Sequence, residues 1–210
     1  MSYKVIMQKE LDRMWKHLLN FGESEDDDDD DEDEEVRLKA LCSKILHGAS
    51  EVGDLKKIVL IIDKILPKFG VKIDIDETID QSKQTPLLLA SREGYPDIVK
   101  FLIKNNANVN AVSICDTPLI IVSQNSIMDK DDQLTIVESL ISAGADVNHI
   151  GEYGRTSLMM ATESNSPKIV SKLLLSGADI SIRDKDGITA LDIAMDWEYE
   201  DIIQNIMEYK

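Results

Sequence analysis

The sequence predicts an all-α chain, a solenoid of about five stacked helix-turn-helix pairs with a capping helix at its N-terminal end. Three observations predict it. A threonine-led motif recurs at a near-constant period, and the apolar residues between recurrences follow helical spacing. Aromatic residues make up only 5% of the 210 residues, which leaves Leu, Ile and Val to build the core.

The recurrence is explicit. Thr85-Pro86-Leu87 is followed by Ile98-Val99 and then by Asn106-Ala107-Asn108-Val109-Asn110. Thr117-Pro118-Leu119 leads to Ile136-Val137 and Gly144-Ala145-Asp146-Val147-Asn148. Thr156-Ser157-Leu158 leads to Ile169-Val170 and Gly177-Ala178-Asp179-Ile180-Ser181, and a shorter fourth segment runs from Thr189-Ala190-Leu191 to Ile202-Ile203. The threonines lie 32, 39 and 33 residues apart. About six extra residues around Ser126 to Asp131 account for the long interval, and a turn shortened by one residue near Ser113 accounts for the short one.

Within a unit, Thr85 is placed to cap a helix through its hydroxyl, and Pro86 suits the first helical turn. Leu87, Leu88 and Ala90 make a short first helix, and Gly94 supplies a left-handed turn. Ile98, Val99, Leu102 and Ile103 make the second helix. Asn106 stands where later units carry Gly144 and Gly177, as the next-best residue for a left-handed C-cap. One unit cannot stand alone: ordering about 33 residues costs roughly 1–2 kcal/mol each in backbone entropy, while each buried Leu or Ile contributes only about 1.5–3 kcal/mol. Stacked neighbours supply the missing burial.

Upstream, residues 36–74 read as a divergent first pair. Val36, Leu38, Leu41, Ile45 and Leu46 give one amphipathic helix. Leu55, Ile58, Val59, Ile62 and Leu66 give another, stopped by Pro67 and Gly70, and Gly70-Val71-Lys72-Ile73-Asp74 echoes the Gly-Ala-Asp-Val-Asn segment. Residues 1–22 hold a capping helix with Met7, Leu11, Met14, Trp15 and Leu18 on one face. Residues 23–35 are an acidic, disordered loop. The remaining units span 75–111, 112–149 with an inter-helix insertion, 150–182, and a C-terminal capping unit at 183–210.

Charge is concentrated. The formal net charge is −17, yet Glu23 to Glu35 hold 12 acidic side chains in 13 positions, leaving 28 acidic against 23 basic residues elsewhere. A chain of this sign is repelled by phosphate backbones, which argues against nucleic acid. The acidic run reads first as a solvated loop. Its sharper readings are a docking element for a basic partner or a pseudo-ligand for the chain's own concave face. It lacks the Gly turn and final Glu of a calcium loop. Cys42 and Cys115, 73 residues apart, suit a reducing compartment rather than a disulfide framework. The N-terminus lacks a secretory apolar run, and the longest apolar stretch, Ile58 to Ile62, is too short to span a bilayer. The cytoplasm, or the nucleus, is the expected location, with no membrane partner.

On Thr85-Pro86-Leu87, Thr117-Pro118-Leu119, the Ile-Val pairs and Gly144-Ala145-Asp146-Val147-Asn148, the chain resembles the ankyrin repeat family over roughly 73–209. The resemblance implies antiparallel helix pairs, loops projecting to one side, a concave protein-binding surface and no catalysis. The family's usual His after Pro-Leu is replaced by Leu88, Ile120, Met159 and Asp192, so the hydrogen bonds it would make to Thr are expected to be absent. Cys115 stands where Gly154 and Gly187 stand in later units, which predicts a distorted turn there.

The resemblance also places the contact positions. At the ends of the first helices these are Arg92 and Glu93, Gln124 and Asn125, Glu163 and Ser164, and Asp196 and Trp197. The projecting turns carry Gln81, Ser82 and Gln84, then Glu152, Tyr153 and Arg155, then Lys185 and Asp186. Trp197, Tyr153 and Arg155 are residue types enriched in binding hot spots, although a terminal unit can instead bury Trp197 against Tyr199 or the last helix. The insertion from Ser126 to Asp132 reads either as a partner-specific finger or as a tolerated surface extension.

Catalysis finds no support in the residues. His17, His47 and His149 fall in different units, and no spacing brings one to Cys42 or Cys115 as a nucleophile's base. No zinc-ligand pair, phosphate-cradling Gly loop or nucleotide fingerprint is present, so no cofactor or metal is expected. The expected function is a monomeric, non-catalytic protein–protein interaction scaffold. The alternative is a chaperone-like or inhibitory binder of basic proteins, driven by the acidic loop.

Overall fold

The computed structural model describes residues 12, 13, 15, 16, 31–78 and 81–209, and for 31–34 the backbone alone. Every regular element among these residues is helical, and the one extended pairing is an isolated bridge between Ser113 and Asp116. An inner row is built from α1 (Asp31–Val52), α4 (Pro86–Glu93), α6 (Pro118–Gln124), α8 (Ser157–Glu163) and α10 (Ala190–Asp196), each packed on the next. Behind it stand α2 (Leu55–Leu60), α3 (Leu66–Phe69), α5 (Pro96–Lys104), α7 (Lys130–Ser142), α9 (Pro167–Leu175) and α11 (Glu200–Glu208). One apolar core runs the length of the stack, from Leu38 to Ile206, with the Ile-Val pair of α5, of α7 and of α9 at 0–2% exposure.

The inner helices α4, α6, α8 and α10 start the same way. Thr85, Thr117, Thr156 and Thr189 lie in extended backbone, and each side chain accepts from the N–H three residues on: Leu88, Ile120, Met159 and Asp192. In the last unit Asp192 also accepts from the Thr189 N–H at 2.9 Å and hydroxyl at 2.7 Å, closing a capping box. The expected loss of a bond to this threonine is therefore corrected for α10, because a carboxylate takes the imidazole's place. Those bonds hold the Asp192 carboxyl below the usual carboxylate range, with Arg183 adding to the effect.

Left-handed residues end the outer helices where expected, at Asn106, Gly144 and Gly177 (φ 66°, 89° and 89°). Just beyond them the units are stitched together by side-chain amides. The Asn110 Nδ2 donates to the Gly144 carbonyl, and its Oδ1 accepts from the Asp146 N–H. Asn148 repeats both bonds with Gly177 and Asp179.

The first unit departs from its sequence reading at four points. α1 begins at Asp31, five residues inside the segment expected to be a disordered loop. Acidic residues at a helix N-terminus oppose the positive end of its dipole, and Glu35 pairs with Lys39 one turn on at 2.6 Å. Val36 faces solvent at 59% exposure, and Cys42 occupies the core instead. Pro67 does not stop the second helix: the chain passes through a π-helical stretch, Ile61–Ile65, and continues to Phe69, where Gly70 (φ 66°) ends it. A wide turn before a proline accommodates its missing N–H, and it turns Ile61 fully into the core. Finally, Asp74 and Asp76, not Lys72 and Asp74, occupy the places of Asp146 and Asn148. Asp74 accepts from the Asp76 N–H as Asp146 does from Asn148, and Asp76 accepts from Asn108 as Asn148 does from Asp179. Two residues are thus inserted after Val71.

Of the expected N-terminal helix, Asp12, Arg13, Trp15 and Lys16 are helical, and Trp15 packs against the core beside Lys57, whose ammonium meets Asp12 at 3.0 Å. Met7, Leu11, Met14 and Leu18 lie outside the described residues, as does the acidic run at 23–30. Among the described residues no helix is long and apolar enough to cross a membrane.

Candidate functional site

The turns leading into the inner helices are tied to one another. The Ser113 hydroxyl donates to the Ser82 carbonyl at 2.6 Å, Asp116 accepts from the Glu152 N–H at 3.1 Å, and the Lys185 N–H donates to the Tyr153 carbonyl at 3.0 Å. Gly151 allows the middle contact, since a Cβ there would strike the Asp116 carboxylate and Ile120. The turn after Ser113 holds two residues, closed by paired Ser113–Asp116 bonds, where Gly151–Arg155 and Asp184–Ile188 enclose three. The expected distortion takes this form, and the left-handed residue is Ile114 (φ 60°) rather than Cys115.

Two hollows open where these turns meet the ends of the inner helices. One, of about 510 Å³, is lined by Arg92, Ile121, Gln124, Asn125, Ser126, Ile127, Met160, Glu163 and Ser164. The other, of about 540 Å³, is lined by Asp116, Ile120, Gln124, Glu152, Tyr153, Arg155, Met160, Glu163, Lys185 and Asp186. Gln124, Met160 and Glu163 line both, so the two form one groove across the middle units. The structure thus brings together Arg92, Gln124, Asn125, Tyr153, Arg155, Glu163 and Ser164. Glu93, Asp196 and Trp197 line neither hollow. Trp197 stacks on Tyr199 with ring centroids 6.4 Å apart, yet stays 62% exposed.

Several of these side chains also hold the scaffold. Asn125 donates to the Arg92 carbonyl at 2.9 Å, and the Ser164 hydroxyl donates to the Gln124 carbonyl at 2.9 Å, so both join consecutive inner helices. Arg155 bridges Glu163 at 2.8 Å and Asp184 at 3.3 Å, the latter with 1% of its side chain exposed. Arg92 meets Gln84 at 2.7 Å and Glu93 at 3.3 Å. Tyr153, 63% exposed with Lys185 5.4 Å over its ring, and the exposed Gln124 present their side chains outward.

Sequence reasoning missed the groove's apolar floor. Ile121 and Met160 are half-buried there while Ile120 is 1% exposed, and nothing in their spacing separates a half-covered position from a buried one. It also missed Gln133, which is fully buried and whose amide donates to the Val122 and Asn125 carbonyls at 2.8 and 2.9 Å. The insertion divides accordingly: α7 has 13 residues against nine in α9, one extra turn, and the remaining residues lengthen the loop before it.

The described cysteines and histidines serve other contacts, away from the groove. Cys42 lies in the core, where burial pushes its thiol up to about 11, the opposite of an activated nucleophile. His47 is buried, with its ring nitrogens 2.8 Å from the Ser43 carbonyl and 3.2 Å from that of Gln84. His149 faces the Cys115 carbonyl at 3.2 Å, and His17 lies outside the described residues. Among the described residues, no group of three or more His, Cys, Asp or Glu is placed to hold a metal ion.

Comparison with known proteins agrees with this architecture. A family profile described as ankyrin repeats in three copies matches residues 119–210, and a single ankyrin repeat profile matches 82–114. An ankyrin repeat protein of fowlpox virus is 35% identical over 153 residues, covering 70% of this chain and 43% of its own length. An ankyrin repeat and KH domain-containing protein of Caenorhabditis elegans is 33% identical over 62% of this chain and 5% of its own length. Subfamily A member 1 of the transient receptor potential cation channels of Drosophila melanogaster is 30% identical over 66% of this chain and 11% of its own. The chain spans less than half the length of these relatives. With the profiles falling on the same threonine-capped helix pairs that the structure shows, the chain belongs to the ankyrin repeat family.

Proposed function

We propose that this chain is a non-catalytic scaffold that holds another protein in the groove between its turns and the ends of α6 and α8. Ankyrin repeats mediate protein–protein interaction, and the observation that carries the reading here is the composition of the groove. Its walls are built by backbone and side-chain ties common to successive units, while its outward residues differ from unit to unit: Gln124 in one, Glu163 in the next, Tyr153 and Lys185 on the turns. A shared frame with varied outward residues is the arrangement that distinguishes one protein partner from another. Partners are expected among soluble proteins of the cytoplasm or nucleus, with the chain itself monomeric.

The test is affinity capture from the native source with quantitative mass spectrometry. Gln124→Arg together with Tyr153→Ala alters two exposed groove residues, and Lys100→Ala together with Lys104→Ala alters exposed residues on the outer row. Circular dichroism checks that both variants fold. Loss of the same partners from the groove variant alone is the expected result. Equal recovery from both variants overturns the groove as the binding surface.

A further inference from the structure

The loop between α6 and α7 is built to present one apolar side chain. Its start is pinned by Asn125, whose Oδ1 accepts from the Ile127 and Met128 N–H groups while its amide reaches back to Arg92. Its end is capped by Asp129, which accepts from the Asp131 and Asp132 N–H groups. Met128 lies against Gly94, where a Cβ would come within 3.0 Å of it, and the buried Gln133 amide fastens the loop from beneath. Ile127, held between these anchors, is 94% exposed and stands on the lip of the groove above Ile121 and Met160. A flexible surface extension has no use for a buried glutamine and two caps. A fixed apolar jaw facing an apolar floor does.

The walls add a sign. Asp116, Glu152, Glu163 and Asp186 face the groove. The cations beside them are engaged: Arg92 by Glu93 and Gln84, Arg155 by Glu163 and Asp184, and Lys185 by the Tyr153 ring. With Glu93 and Asp184 beside them, six carboxylates meet three cations at the groove, and outside Glu23–Glu35 the chain carries 28 acidic against 23 basic residues. Potential of this kind attracts a basic partner and repels an acidic one.

We infer that the groove takes an extended segment of a partner protein that carries apolar side chains next to lysine or arginine. Ile127 and the Ile121–Met160 floor clamp an apolar side chain, and Glu152 and Asp186 receive the basic ones. This deepens the proposed function and rests on it.

A fluorescein-labelled synthetic peptide, Gly-Ser-Arg-Lys-Leu-Arg-Leu-Lys-Ser-Gly, serves as probe in anisotropy titrations of the full chain. Its counterparts carry Glu for every basic residue or Ser for every Leu. A full-length variant with the acidic residues of 23–30 replaced by Ser keeps that run from contributing. Binding of the probe to both chains, with neither counterpart binding comparably, is expected. Ile127→Ser should weaken the probe about ten-fold, as loss of an apolar anchor does. Glu152→Gln with Asp186→Asn should weaken it and flatten its loss of affinity between about 0.05 M and about 0.5 M salt. Binding that is unchanged by Ile127→Ser, or that vanishes when 23–30 are neutralised, overturns the inference. So does self-association of the chain that is lost in Ile127→Ser, which assigns the groove to a second copy. If the probe fails while partner capture remains groove-dependent, the peptide chemistry falls and the scaffold reading stands; if both fail, the groove itself is wrong.

Discussion

At the residue scale, two positions work against the pattern around them. Asp76 stands where Asn110 and Asn148 stand in later units, and its carboxylate accepts from the Asn108 N–H at 3.0 and 2.9 Å but has no proton to donate onward. Burial, with Asp74 nearby, raises its pKa, against the lowering effect of the Asn108 N–H. A raised folded-state pKa means that its contribution to stability is fully present below the ordinary carboxylate pKa and is lost as pH rises through the folded value. Asp76→Asn restores the donor and removes a half-buried charge, so urea unfolding at neutral pH should show a stability gain of about 0.5–1.5 kcal/mol. The gain should shrink as pH falls into the carboxylate range. Ile114 is the second position, a β-branched residue at φ 60° with 79% of its surface exposed. A left-handed L-residue costs about 1–2 kcal/mol, partly offset in glycine by the entropy of a freer unfolded chain. Thermal unfolding of Ile114→Gly should therefore show a modest rise in stability, and a fall would show that the isoleucine side chain stabilises its turn.

At the scale of elements, α4, α6, α8 and α10 each carry their own threonine start signal, and the loops between helices decide what the groove becomes. The extra turn of α7 exists because Gln133 spans from it to the ends of α6 and its loop. Gln133→Leu keeps the volume, removes the amide donor to the Asn125 carbonyl and leaves the Val122 carbonyl with the Asn125 N–H alone, which should cost about 1–3 kcal/mol. Hydrogen exchange should then quicken in residues 125–130 before it does in α6 itself. Uniform loosening of the whole unit would show that Gln133 supports the core rather than the loop.

At the scale of the molecule, stability is a sum over units and the joints between them. The apolar core is one such joint, and the asparagine bridges are another. Asn148→Ala removes the bonds to Gly177 and Asp179 at once. It should cost about 1–2 kcal/mol and raise exchange rates in α9 to α11 while leaving α1 to α4 protected. A single cooperative loss of protection along the whole array would show that the units do not open separately.

The threonine caps, the left-handed Asn106 and glycines, the Ile-Val core and the shortened turn near Ser113 were all legible in the chain, because each depends on residues a few positions apart. Composition and period then determine that such units must stack. What only the tertiary structure decided lies between units. The register at Asp74 and Asp76 is set by a bond to Asn108, 32 residues away from Asp76. The passage of α2 through Pro67 into α3 follows from how Ile61 reaches the core. Arg155 looked like a contact residue from its type and its turn, and it spends its guanidinium on Glu163 and Asp184. The floor is half-open at Ile121 and Met160 but buried at Ile120 for the same reason: sequence spacing says that a helix has an apolar face, and only the placement of its neighbours says how much of that face they cover.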